Sequence, residues 1–144
     1  MQKKIFAVIG NPVSHSKSPD IYNYLFKKYN IDGTYIAIEL NEENIEQFLK
    51  EFAKGMNLKG VNVTMPLKEK AATLSRRLDS LSELLKTVNT LDLTTGTGYT
   101  TDGKGLLLSL NYRGFDITGK NVVVIGAGGA AKSICYEIAR AKVN

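Results

Sequence analysis

The 144-residue chain is 43% hydrophobic and 23% charged, the balance of one ordinary globular domain, and no run in it approaches the ~20 apolar residues of a membrane span. Its net charge of +5 is scattered in isolated pairs such as Lys3-Lys4, Lys27-Lys28 and Arg76-Arg77, which argues against nucleic acid as a partner and leaves a mildly basic surface that steers small anions. Cys135 stands alone, so an internal disulfide is excluded; one Cys with one His makes a poor zinc site, and the N-terminus turns before a signal sequence could develop, so a cytoplasmic protein without metal is expected.

Strand-like and helix-like segments alternate, the pattern of an α/β fold with a mostly parallel sheet. IFAVIG (5–10) reads as a buried strand, and GNPVSHSKSP (10–19) is the loop leaving its carboxyl end. SPDIYNYLFKKYN follows as a helix with Ser18 as N-cap and Pro19 in its first turn; Ile21, Leu25 and Tyr29 are expected on its core side, flanked by Tyr22 and Phe26. GTYIAIEL is a second strand, and Asn41 is expected to cap NEENIEQFLKEFAKG, which ends at Gly55. GVNVT is a third strand, PLKEKAATL a helix opened by Pro66, and a further helix around Leu78–Leu85 leads into the strand VNTLDL. After the TTGTG turn the chain returns through YTT, and DGKGLLLSLNYRG is a helix stopped by Gly114. NVVVIG then reads as an apolar strand and AAKSICYEIARAKV as a helix, one βα unit of a second sheet. One such unit cannot form a sheet alone, so the chain is expected to be cut short there.

Several segments carry chemistry. NVVVIGAGGAAKS holds Gly126-x-Gly128-x-x-Ala131 at a strand-to-helix turn, where Gly126 allows the turn, Gly128 lets backbone N–H groups approach a pyrophosphate and Ala131 permits close helix packing. Gly126, Ala127, Gly128, Gly129 and Ala130 are therefore the candidate cofactor loop. A P-loop is the rival, since Gly126–Ser133 reads G-x-x-x-x-A-K-S and departs from that pattern only at Ala131. The acidic residue that separates NAD from NADP falls after Asn144.

In GVNVTMPLKEK a strand delivers Asn62, Thr64 and then Lys68 to the sheet's carboxyl edge, the usual place for ligands in such sheets. Lys68 lies in the first turn of a helix, where the macrodipole disfavours a cation; a carboxylate partner would answer this, but spacing alone favours a simply solvated lysine, as for Lys70. Asn89 and Thr90 interrupt an apolar strand, and Asp102 opens a helix where an N-cap would also suffice.

Together these segments resemble the shikimate dehydrogenase family. GNPVSHSKSP is similar to its G-N-P-[IV]-x-H-S-K-S-P signature, NVTMPLKE to N-V-T-x-P-x-K-E, VNT and TDGKG to A-V-N-T and N-T-D-G-x-G, and GAGGAAKS to G-A-G-G-A-[AS]-[RK]. Thr87 and Thr100 stand where the family usually has Ala and Asn. The resemblance implies that Ser14 and Ser16 bind a substrate carboxylate, on the view that hydroxyls two apart in an extended segment point the same way. It implies that Thr64, Asn89 and Asp102 hold ring hydroxyls, that Lys68 is catalytic and that Lys68 and Asp102 form a pair at the reacting oxygen.

The activity so implied is reversible, NADP-dependent reduction of 3-dehydroshikimate to shikimate, a step of aromatic amino acid biosynthesis. A quinate/shikimate dehydrogenase using NAD and a non-catalytic binding or assembly module are the alternatives. Residues 1–102 would form the substrate domain, and 103–144 a linker helix with the start of a Rossmann-like dinucleotide domain; the 144 residues as a whole are expected to be an inactive N-terminal fragment, since one glycine loop alone cannot position a hydride donor. If NVVVI finds no neighbouring strand, the chain is expected to self-associate or to leave residues 115 to 144 poorly ordered.

Overall fold

The computed structural model describes residues 3–141. β1 (Lys4–Gly10) leads through the serine-bearing loop into α1 (Ser18–Lys28) and then β2 (Gly33–Glu39). A continuous helical stretch follows: α2 (Ile45–Gln47), a π-helical turn (Phe48–Phe52) and α3 (Ala53–Gly55). Next come β3 (Leu58–Val63), α4 (Lys68–Leu74), β4 (Arg77–Leu78), α5 (Ser80–Leu85), the hairpin β5 (Thr90–Asp92) and β6 (Thr97–Tyr99), then α6 (Asp102–Tyr112) and α7 (Gly129–Arg140).

The strands form one six-stranded sheet in the order β2-β1-β3-β5-β6-β4. β1 runs parallel to β2 and β3, and β4 parallel to β6, while β5 is antiparallel to both its neighbours. The sheet is thus mixed but mostly parallel, as the alternating pattern indicates.

Side-chain alternation along β1 divides the core in two. Ala7 and Ile9 face one layer with Val61, Val63 and Leu91, closed by Ile45, Phe48, Leu67 and Ala71 from the helices. Val8 and Tyr35 face the other with Val13, and Phe6 and Phe26 pack against them. Here α1 is rotated from the expected orientation, because the sheet presents aromatic rings and selects the aromatic stripe of the helix. Phe26 meets Phe6 at 5.4 Å between ring centroids and Tyr22 stacks on Tyr35 at 4.5 Å. Leu25 is half-buried, whereas Ile21 and Tyr29, expected inside, are exposed.

Two other expectations change. Asn41 does not cap the second helix, which starts at Ile45; its Oδ1 instead accepts from Asn11 Nδ2. NVVVIG pairs with no strand among the described residues, and Val123 and Ile125 are 85% and 97% exposed. An apolar run becomes a strand only when a neighbour accepts its backbone hydrogen bonds, and the six-stranded sheet does not extend to it. The helix after it does form, and α7 packs on α6.

Candidate active site

The carboxyl ends of β1 and β3 open into a cavity of about 380 Å³, whose lining includes Ser16, Ser18, Thr64, Lys68, Asn89 and Asp102. The hydroxyl-bearing loop arrives there because Gly10, at the end of β1, runs against β3: a Cβ on it would lie 2.3 Å from Thr64 Cγ2. The backbone is held there by Asn11 N–H donating to Met65 O at 3.0 Å and Thr64 N–H donating to Ile9 O at 2.9 Å.

Five of the six substrate residues expected from sequence, Ser16, Thr64, Lys68, Asn89 and Asp102, line this cavity, and Ser14 does not. Hydroxyls two apart point the same way only in an extended segment, whereas Ser14 and His15 form a tight turn in which Ser16 N–H donates to Val13 O at 3.0 Å, and Ser14 is exposed. The hydroxyl that joins Ser16 in the cavity is that of Ser18, expected only as a helix cap. Helix α1 has its N-cap at Lys17 instead, and Ser18 N–H donates to Ser16 Oγ at 3.3 Å. The repeated serine in HSKSP was the available signal. His15 and Asn62 also line the cavity.

Lys68 and Asp102 come together across 34 residues of chain, with Nζ donating to Oδ2 at 2.6 Å. Their side chains are only 16% and 24% exposed, so the pair is shielded from solvent but open to the cavity. The carboxylate partner demanded by a lysine in a helix's first turn is therefore Asp102, whose own place in the first turn of α6 suits a negative charge. Asn89 Nδ2 donates to the second oxygen, Oδ1, at 2.8 Å, and Asn89 Oδ1 accepts from Thr101 N–H at 3.1 Å. The carboxylate is thus held from two sides.

Tyr35, 4% exposed, meets the cavity lining at Asn62, to whose Oδ1 its hydroxyl donates at 2.7 Å. Burial pushes its phenol well above the ordinary value and neighbouring Tyr22 adds to this, with a hydrogen bond to Ser18 opposing. Asn62 Nδ2 in turn donates to Thr90 Oγ1 at 3.0 Å, so this residue of the cavity lining is bonded on both ends of its amide.

A second cavity of about 520 Å³ adjoins the first and shares Thr64 and Lys68 with it; Gly126, Gly128, Gly129 and Ala130 of the candidate cofactor loop form its other wall. Ala127 is exposed and not part of that lining. Gly126 has φ of +123°, a value that excludes most side chains, and Gly128 has open space where a Cβ would stand. Gly129 is the close-packed position: a Cβ there would lie 2.2 Å from Thr87 Oγ1 and 3.2 Å from Lys68 Cβ. An open glycine loop at the start of a twelve-residue helix has the donor set and room for a pyrophosphate.

The family model for the shikimate dehydrogenase substrate binding domain matches residues 8–91. The chain belongs to the shikimate dehydrogenase family. It is 42% identical over 143 residues to shikimate dehydrogenase (NADP(+)) of Methanococcoides burtonii, covering 99% of this chain and 52% of that relative. Among solved structures, shikimate 5-dehydrogenase of Thermus thermophilus, in complex with NADP(H) and shikimate, superposes with a TM-score of 0.88 at 32% identity over 97% of this chain and 53% of its own. The Listeria monocytogenes enzyme, in complex with shikimate and NAD, gives 0.84 at 36% identity over 96% and 48%. The chain thus spans about half the length of the curated relatives it matches.

Proposed function

We propose that this chain supplies the shikimate-binding and proton-transferring part of an NADP-dependent shikimate dehydrogenase, with residues 1–102 as the substrate domain and residues from 103 onward as the link to the cofactor side. The observation that carries this reading is that Lys68, ion-paired to Asp102, stands where the two cavities meet. A ring bound in the first cavity and a nicotinamide reaching from the second would both face the Lys68 ammonium.

In this reading Ser16 and Ser18 donate hydroxyl hydrogen bonds to the substrate carboxylate, and Thr64, Asn89 and Asp102 hold the ring hydroxyls. The bound cofactor, seated against Gly126 to Ala130, supplies the hydride. In reduction, Lys68 Nζ donates its proton to the carbonyl oxygen as the carbon accepts hydride; in oxidation the amine takes that proton back. Asp102 keeps Nζ aimed, and its charge balances the ammonium between turnovers. Asn89 fixes the carboxylate so that only one of its oxygens meets the lysine.

The test is steady-state kinetics with shikimate and either NADP or NAD, in the longest form of the protein that turns over, with Lys68→Ala beside the parent. The expected result is preference for NADP and a loss in kcat of about 10²-fold or more, with KM within about threefold. Equal losses in kcat and affinity would reduce Lys68 to a binding group. Ser16→Ala and Ser18→Ala should raise KM while Ser14→Ala leaves it unchanged.

A further inference from the structure

Asp102 sits in the first turn of α6, where backbone N–H groups have no partner within their own helix. The residue placed to cap them, Thr101, makes no side-chain cap bond; its hydroxyl oxygen accepts instead from Asn89 Nδ2 at 2.9 Å. The acceptor comes instead from another helix. Ser133, in the second turn of α7 and fully buried, takes the Gly103 N–H on its Oγ at 2.9 Å. The two helices touch at this point so closely that a Cβ on Gly103 would lie 2.1 Å from the Ser133 carbonyl oxygen.

The Gly103 amide belongs to the peptide unit that follows Asp102, so whatever holds that amide also holds the Asp102 backbone. From there the chain of contacts runs to Lys68 Nζ at 2.6 Å and to Asn89 Nδ2 at 2.8 Å. Helix α7 touches the same site at two further places. Lys132 Nζ pairs with Glu69, the residue after Lys68, and Gly129 packs against Thr87 and the stem of Lys68. The helix that begins at the cofactor loop is therefore clamped onto the two helix starts that carry the acid–base pair.

We propose that Ser133 is a positioning residue for Asp102: by accepting the Gly103 N–H it sets the first turn of α6, and so makes the alignment of the Lys68–Asp102 pair depend on how α7 is seated. This rests on the reading of Lys68 and Asp102 as the reacting pair. A serine at this depth with its hydroxyl committed to a neighbouring helix's first turn has no need to be polar otherwise, since alanine would fill the same space.

The experiment uses the isotope-labelled chain, with Ser133→Ala and Ser133→Thr beside the parent, followed by NMR and titrated with shikimate. Three signals are read: hydrogen exchange at Gly103 N–H, the side-chain amide of Asn89, which reports Asp102 Oδ1, and the shikimate Kd. In Ser133→Ala, exchange at Gly103 should quicken at least tenfold, the Asn89 amide should shift, and Kd should weaken at least threefold. Ser133→Thr, which restores the hydroxyl, should return all three toward the parent values. Should Ser133→Ala fail to fold, Ser133→Cys, which keeps the volume with a weaker acceptor, is read by the same three signals.

Faster exchange at Gly103 with an unmoved Asn89 amide and an unchanged Kd would make Ser133 merely structural and overturn the proposal. If the parent does not bind shikimate, yet the Asn89 amide moves in Ser133→Ala and returns in Ser133→Thr, the positioning role stands and the proposed substrate falls. No binding and no movement would remove both.

Discussion

Replacing Tyr35 by Phe deletes one oxygen bonded to Asn62 of the candidate-site cavity and leaves the ring, its stacking on Tyr22 and the packing volume in place. The lost hydrogen bond, Tyr35 Oη to Asn62 Oδ1 at 2.7 Å, lies behind a side chain that is 4% exposed. Such a neutral bond contributes about 1 to 1.5 kcal/mol, and no other donor to Asn62 Oδ1 replaces it among the described residues. At pH 7 the urea midpoint of Tyr35→Phe should therefore fall by about 0.6 M, for a slope near 2 kcal/mol/M.

The difference should then shrink as pH rises. The folded-state phenol titrates above its unfolded value of about 10, so above pH 10 the unfolded chain loses a proton that the folded chain keeps, and wild type loses stability. One pH unit above that value the loss is about 1.4 kcal/mol, nearly the whole advantage of the tyrosine. Every other ionisable group is common to the two proteins and cancels in the difference. Urea unfolding followed by circular dichroism from pH 7 to 11 should show two profiles converging near pH 11. Parallel profiles would refute the burial of the Tyr35 proton and with it the bond that holds Asn62.

Thr87→Val should raise stability by about 1 kcal/mol, since the Thr87 hydroxyl is fully buried without a hydrogen-bond partner among the described residues; a lower thermal midpoint would contradict this. Hydrogen bonds from Thr94 and Thr95 hold the Asp92 carboxyl below its ordinary range, so it stabilises the fold at neutral pH and loses that contribution as pH falls below about 4. Unfolding between pH 5 and 2 should accordingly be less pH-dependent in Asp92→Asn than in wild type. Val123→Lys with Ile125→Lys should diminish any concentration-dependent self-association seen by sedimentation velocity, because these are the most exposed large aliphatic side chains described.

The alternation of apolar strands and helices was legible from local chemistry alone, and it placed β1, β2, β3 and the helices between them, though not their caps. Lys68, Thr64, Asn89 and Asp102 were also legible as strand-end and helix-start polar residues, because their backbone positions follow from periods of two and of 3.6 residues. Periodicity does not say which of two adjacent stripes a helix lays on its sheet, so the packing of Tyr22 and Phe26, rather than Ile21 and Tyr29, waited on the rings of Tyr35 and Phe6. Nor does it register a turn, and the bend at Ser14 and His15 is what exchanged Ser14 for Ser18 at the cavity.

For NVVVIG, strand propensity had no neighbour to pair with among the described residues, and propensity alone closes no hydrogen bonds. The sequence by itself determined which residue types the site contains and the order in which the chain visits them. Their distances, the 2.6 Å pair above all, and the grip of Ser133 on the turn beneath Asp102 were decided by tertiary structure, because contacts across about 30 residues depend on how helices cross and not on any local period.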